Sequence, residues 1–220
     1  MAEGYRKQTP GDWTGTVRLR IEENGEYAVS IEETAVSVEE TDGNVAWTVG
    51  LELSEETFEK LSSGEWNGLT AAGRESMSDP APLDFGVPDG VELKGETLQL
   101  LYHFLTHFFT REYPTVTRLG REHSRVVHGG NAVPVAYGPG VRYAYYTIRD
   151  GERINEDETD PWNQVFTVVA GTGTATIDGE PVPLEPNVSV HVPPGVEHVV
   201  EPNGDGDDLE LLWLAYGEGA

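Results

Sequence analysis

The sequence predicts two β-rich domains in series: an α+β N-terminal domain, an antiparallel sheet with two helices, over residues 14–112, and an all-β domain over residues 115–217. Three features predict this. Apolar and polar residues alternate in short runs along much of the chain, the pattern of half-buried strands. Asn24-Gly25, Asp42-Gly43 and Asp178-Gly179 fall between such runs, and Asx-Gly is the strongest short hairpin signal. Helical spacing of apolar residues marks two segments, around Phe58 and around Leu101, both in the first half. A chain of 220 residues suits one large or two small domains and is long enough to bury real cores.

The first strand carries Val17, Leu19 and Ile21 on one face and Arg18 and Arg20 on the other. Asn24-Gly25 turns it into a second, with Tyr27, Val29 and Ile31. Ala35 to Val38 is a short third. Asp42-Gly43 leads into Val45, Trp47, Val49, Leu51 and Leu53, the cleanest alternation in the chain. Together these predict an antiparallel meander with one buried face. Ser54 then caps a helix whose first turn holds Glu55 and Glu56, where the helix dipole favours acids. Phe58 and Leu61 form its apolar stripe, and Ser63-Gly64 ends it. Residues 79–90, with three Pro and two Gly, read as a flexible loop. Leu98, Leu101, Leu105 and Phe108 recur at helical spacing, with Leu100, Phe104 and Phe109 widening the face, so a second helix is expected from Leu98 to Arg111.

The block from Leu53 to Glu65, following a meander, resembles the sterol-carrier-protein type of lipid-binding domain over residues 14–110. The longer N-terminal helix usual in that family is missing. The resemblance implies a hydrophobic ligand between sheet and helices; an ordinary packed core explains the same Phe and Leu stripes.

In the second half, Val116 to Leu119, Ala132 to Ala136, the Tyr-rich Val141 to Ile148 and Val165 to Val169 read as strands. Ala170-Gly171-Thr172-Gly173 reads as a hairpin turn into Thr174 to Ile177. Pro181 to Leu184, Val188 to Val192, Val199 to Glu201 and Leu209 to Tyr216 complete the set. Many short strands with Gly and Pro turns indicate a sandwich or barrel.

Composition narrows the function. There is no Cys, which removes disulfides, thiolate ligands and Cys nucleophiles. No apolar run approaches the length of a membrane-spanning helix. The first residues lack the apolar core of a signal peptide, so the cytoplasm is the expected compartment. Charge is extreme, with 14 basic against 39 acidic residues, a net of −25, and only three of the basic residues are Lys. Such a surface repels itself at low salt and is quenched in molar salt, where the screening length falls to about 3 Å. A halophile's protein is expected. Nucleic acids and anionic membrane surfaces, which need basic patches, are not expected partners.

Gly151, Gln164 and Gly171, together with Pro193-Pro194-Gly195-Val196-Glu197-His198, resemble the two motifs of the cupin superfamily over residues 115–217. The second motif, Pro-x-Gly-x-x-His, is matched at Pro193, Gly195 and His198. In the first, Gln164 stands where the family has Glu. Asp157 and Thr159, or Glu158 and Asp160 in the other register, stand where it has His-x-His. The resemblance implies a jelly-roll barrel with a degenerate metal motif, and cupin-like barrels often form homodimers.

Several sites are candidates. Glu158, Asp160, Gln164 and His198 could hold one divalent ion; their oxygen-rich set suits Mn²⁺, Mg²⁺ or Ca²⁺, and the imidazole admits Fe, Ni or Zn. That set would make a dioxygenase or isomerase. Alternatively, His198 acts as an acid–base group without metal, paired with a phenol from Tyr143 or Tyr145, with His191 on the preceding strand. As a binding site, the barrel would present His198, Gln164, Phe166, Tyr143, Tyr145 and His191 to a small molecule. Finally, His103 and His107 at i, i+4 share one helix face, as a metal pair or as the polar edge of an amphipathic helix. No phosphate loop or serine elbow is visible. The expectation is a small-molecule-binding protein, with the metal-dependent enzyme as its alternative.

Overall fold

The computed structural model describes residues 14–76, 78–93, 96–109, 115–138, 140–156, 159–204 and 206–217. The chain divides into two compact units, residues 1–73 with 80–113, and residues 74–79 with 114–220.

The first unit holds a five-stranded sheet: β1 (Gly15–Ile21), β2 (Gly25–Ile31), β3 (Val36–Thr41), β4 (Val49–Leu53) and β5 (Leu83–Gly86), in the order β3-β2-β1-β4-β5. β1 pairs antiparallel with β2 but parallel with β4, Val17 opposite Val49 and Ile21 opposite Leu53. The sheet is therefore mixed, and the expected meander is corrected. The chain leaves the β3 edge and crosses to the far side of β1, which interrupts the alternation at Val45 and Trp47. Trp47 lies under the Arg18 guanidinium, 4.2 Å from its ring centre. The expected flexible loop supplies an edge strand, with Leu83 of β5 fully buried.

Helix α1 (Glu55–Ser63) is capped as the sequence implies: the Ser54 hydroxyl accepts from the Thr57 N–H, and Gly64 closes it at φ 82. A short helix α2 (Gly68–Ala72) follows, capped by Asn67, which the sequence reading did not foresee. The second long helix is α-helical only over α3 (Glu96–His103) and continues as a π-helix over Phe104–Phe108. Thr110 and Arg111, the last residues of the expected helix, lie outside the described residues. Gly68 explains part of the packing, since a Cβ there would sit 2.1 Å from the Leu105 carbonyl oxygen. Leu100, Leu101, Phe104, Leu105, Phe108 and Phe109 share one buried cluster with the apolar face of β1, β2 and β4. This is the packed-core reading of the helix stripe.

The second unit is a β-sandwich. Strands β6 (Arg125–Val127), β7 (Gly130–Gly138), β8 (Val141–Ile148), β9 (Asn163–Ala170), β12 (Ser189–Val192) and β14 (Leu209–Tyr216) form a six-stranded sheet ordered β12-β9-β14-β8-β7-β6. Strands β10 (Gly173–Ile177), β11 (Glu180–Leu184) and β13 (His198–Pro202) form a three-stranded one ordered β11-β10-β13. Phe166, Val168, Leu209 and Leu211 of the first sheet share a core with Ala175, Leu184 and Val200 of the second. The described strands form two facing sheets, the coarser form of the jelly roll expected. Val116 to Leu119 is not a strand.

Asp178-Gly179 is a true hairpin turn, both residues at positive φ between β10 and β11. Gly171 and Gly173 are not one, because β9 and β10 belong to different sheets. They form a corner where the chain passes between layers. Gly171 has φ 75, and a Cβ there would lie 2.1 Å from the Asp208 carbonyl oxygen. A side chain at Gly173 would meet the Glu201 carbonyl oxygen at 2.5 Å.

Candidate functional site

The site is built at one end of the sandwich. Pairing fixes its floor. On the six-stranded sheet, Arg142 of β8 is opposite Ala215 of β14, Ala215 is opposite Gln164 of β9, and Gln164 is opposite Val192 of β12. All lie on one row, and alternation puts them on the face that carries Ala144, Tyr146, Phe166 and Leu211 into the core. From the other sheet, β13 opens with His198, opposite Ile177. An isolated bridge between Ile154 and Val200 then brings the next residue, Asn155, against the imidazole. Asn155 sits at φ 62, a left-handed conformation that Asn tolerates better than most residues.

His198 and Gln164 are each 1% exposed, and Asn155 is buried as well. The His198 Nδ1 lies 3.0 Å from the Val196 carbonyl oxygen, which can only accept, so Nδ1 carries the proton. In the neutral ring Nε2 then presents its lone pair. Two amide nitrogens face it, Asn155 Nδ2 at 2.7 Å and Gln164 Nε2 at 3.2 Å. The orientation of Gln164 is set by its other neighbours. The Trp213 indole N–H, a donor only, reaches Gln164 Oε1 at 2.6 Å. The Gln164 amide donates to Asp160 Oδ2 at 2.8 Å. Phe166 flanks the imidazole with ring centres 5.6 Å apart, and Tyr146 packs edge-on against Trp213. The loop before β9 is tied to the Pro193-Pro194-Gly195 turn through Gly195 N–H and the Asp160 carbonyl, 2.7 Å.

This geometry brings together four expected residues, Asp160, Gln164, Phe166 and His198, and adds Asn155. Sequence counting missed Asn155 because its placement depends on the bridge to Val200, far along the chain. Glu158 and Asp157 lie outside the described residues. Tyr143 and Tyr145 are corrected. The core-facing residues of β8 are Ala144, Tyr146 and Ile148, so the two phenols fall on the opposite face of the sheet. There, burial and the neighbouring Glu210 push the Tyr145 phenol up to about 12. His191 is also on the outer face, exposed and hydrogen bonded to Asn163 Oδ1 at 3.1 Å. Neither phenol pairs with His198 as an acid–base couple.

A divalent ion does not fit the described residues. A metal at His198 Nε2 would meet the N–H side of Gln164, whose oxygen is committed to Trp213. Asp160 already accepts from the same amide. Among the described residues, no group of three His, Cys, Asp or Glu side chains gathers.

The other histidine pair lies in the first unit. His103 and His107 are 5% and 3% exposed, with rings stacked 5.8 Å apart. They are not an exposed polar edge of an amphipathic helix, because both side chains are buried. Burial, helped by the neighbouring His103, lowers the His107 pKa to about 4.

Residues 144–215, within the second unit, match the family model described as a cupin domain. A mannose-1-phosphate guanylyltransferase from Salmonella montevideo is 30% identical over 106 residues, 46% of this chain. The chain spans 22% of the length of that relative. Among solved structures, the plu4264 protein from Photorhabdus luminescens is 13% identical, with a TM-score of 0.43, over 47% of this chain and 88% of its own. A cupin 2 conserved barrel domain protein from Salinispora arenicola is 16% identical, with a TM-score of 0.42, over 48% and 91%. Among the described residues, no helix is long and apolar enough to cross a membrane.

Proposed function

We propose that the cupin domain binds a small molecule without a metal ion, at the end of the sandwich where His198, Gln164 and Asn155 meet. One observation carries this reading. The imidazole nitrogen that faces the interior is met by two amide N–H groups, not by the carboxylate and imidazoles a bound metal would require. The result is a directional polar pole beside a largely apolar core, the usual make-up of a small-ligand site. A ligand that offers a hydrogen-bond acceptor can take over one of the two amides, leaving the other to hold His198.

The acidic surface suits a protein working in molar salt. For the first unit the proposal is a role in assembly, since its helix stripe is occupied by core packing. The guanylyltransferase relative acts on a sugar phosphate by name, but the chain covers too little of it to transfer that activity.

The test has two readings on one preparation. Protein purified in molar KCl without chelator or nickel resin is analysed for metal by mass spectrometry. A denatured aliquot is analysed for released small molecules, beside an Asn155→Leu variant. The expected outcome is metal well below one per chain and a released compound that the variant loses. Stoichiometric metal that disappears in His198→Ala would overturn the proposal.

A further inference from the structure

We propose that the outward face of the six-stranded sheet, over β14, β9 and β12 and the start of β8, is an interface between two copies of this chain. This face is turned away from the His198 pole, so the inference stands apart from what the pole binds.

An antiparallel sheet with one side in the core carries polar residues on the other where that side meets water. This sheet departs from that rule. Alternation turns Tyr143, Leu214, Val165 and His191 outward as one row across β8, β14, β9 and β12, with Leu212 and Thr167 in the next row. Val141, Tyr216 and Val169 extend the same face and are 37%, 40% and 47% exposed. Among the described residues, the outward positions of these four strands hold one carboxylate, Glu210, and no Lys or Arg. Glu210 stands at one end of the face and is hydrogen bonded to the Tyr145 phenol. The sheet of the first unit shows the opposite pattern, with Arg18, Arg20, Glu26 and Glu52 paired on its outward side. In a chain with 39 acidic residues and a net charge of −25, an uncharged, Tyr-bearing face has the make-up of an interface centre.

The chain covers part of this face itself. Tyr145 and Val133, toward the β7 edge, are each 5% exposed. They lie on the side of the Arg121–His123 turn, and Ser124 just after it donates to Asn131 Oδ1 of β7 at 3.3 Å. Across β14 and β9 the same rows stay half-buried at Leu212, Leu214, Val165 and Thr167, and His191 of β12 is exposed.

Charge and size name the occupant. A basic partner finds one carboxylate here to pair with, and that one is already engaged. A second copy brings a face equally apolar and equally uncharged, so two acidic chains meet here with the least repulsion. Four strands about 4.8 Å apart and roughly six residues of about 3.3 Å make a patch of roughly 20 by 20 Å. Two such patches, with the relief of their side chains, bury on the order of 1,000 Å², where specific but weak interfaces begin. Repulsion between two net −25 chains opposes the contact, and KCl screens it, so the dimer should tighten as salt rises.

The experiment is sedimentation velocity on the full chain, over a concentration series and over the KCl range in which circular dichroism shows the fold intact. The expected result is a monomer–dimer equilibrium that shifts toward dimer with KCl. Leu214→Glu, in the middle of the face, should weaken it by roughly tenfold or more, because the two-fold contact buries the charge twice. Val169→Glu, at an exposed position, takes its place if Leu214→Glu fails to fold. Val38→Glu, at a 48% exposed position of β3 in the first unit, should leave the equilibrium unchanged. The chain has no Cys, so a short bis-maleimide joins copies through an introduced thiol alone. Val165→Cys or Leu214→Cys should cross-link as a dimer, and Val38→Cys should not. A monomer at every salt and concentration, a dimer that loosens as KCl rises, a dimer as tight in the Glu variant of the face as in the parent chain, or cross-linking through Val38→Cys in place of the two sheet positions would each overturn the inference.

Discussion

Gln164→Leu tests whether the polar pole is a connected network. Gln164 is 1% exposed and serves three partners: the Trp213 indole N–H at 2.6 Å, Asp160 Oδ2 at 2.8 Å and His198 Nε2 at 3.2 Å. Leucine has nearly the same volume, so the change leaves packing close to intact and isolates hydrogen bonding. His198 keeps the Asn155 amide at 2.7 Å, so its nitrogen is not orphaned. Trp213 loses this partner and Asp160 loses one of its contacts; both are half-buried, which lets water recover part of the loss. One orphaned donor or acceptor costs about 1–3 kcal/mol, so the change should cost roughly 1–3 kcal/mol. For a domain of this size that is a fall in melting temperature of roughly 5–20 °C. The assay is thermal unfolding by circular dichroism in molar KCl, with near-ultraviolet detection to follow Trp213. A fall below about 2 °C, within the range of an ordinary surface change, would refute the network.

Further outcomes follow from the same geometry. Gln164→Glu keeps an oxygen toward Trp213 but sets a carboxyl against Asp160. Burial and like charge raise its folded pKa above the unfolded one, so the variant should lose stability as pH rises from acid to neutral, read from melts at a series of pH values. His107, held at about 4 by burial, behaves in the opposite sense. Above its unfolded pKa near ~6.5 its contribution is complete, and it drains away as pH falls toward 4, by roughly 3 kcal/mol in all; His107→Phe should flatten that slope in urea titrations. Gly171→Ala should cost more than about 2 kcal/mol, because the left-handed backbone and the Asp208 carbonyl at 2.1 Å both oppose a side chain. Gly179→Ala, at φ 78 with open space around it, should cost only about 1–2 kcal/mol by the same denaturant measurement. Melting temperature should rise with KCl toward molar strength, as screening removes the repulsion of a net −25 chain; a flat or falling curve would contradict that.

What could be read from sequence divides along a physical line. Strand positions in the second unit were legible because each run carries its own alternation and turn chemistry. Val141 to Ile148 and Leu209 to Tyr216 are strands over the whole of the expected spans. Gln164 and His198 were legible as partners through motif spacing. Which face of β8 points inward was not legible, since a run in which Tyr145, Tyr146, Thr147 and Ile148 are all buried has no polar side to mark the outside. The parallel pairing of β4 with β1 was hidden for a related reason: alternation reports a strand but not its neighbour. Gly171 and Gly173 carry the residues of a turn, and only the layers on either side decide whether it joins partners or crosses between sheets.

Asn155 and Gln164 show where that limit bears on function. Read singly, Gln164 is a carboxylate that has lost its charge, and Asn155 is an unremarked loop residue two positions before Asp157. In space both turn an amide nitrogen toward the same ring nitrogen of His198. Each places an amide N–H where a ligand to a metal would present a lone pair, and both converge on one nitrogen of His198. A single such change would leave a weakened metal site. Two, with the glutamine held in orientation by Trp213 and Asp160, favour the metal-free reading proposed for the site. The pairing implies that neither reversion alone restores metal binding. Asn155→His leaves the Gln164 N–H in place, and Gln164→Glu leaves the Asn155 N–H in place. Only the double variant Asn155→His, Gln164→Glu should take up Mn²⁺ or Zn²⁺ by titration calorimetry. Uptake by either single variant would mean that the two amides do not act together.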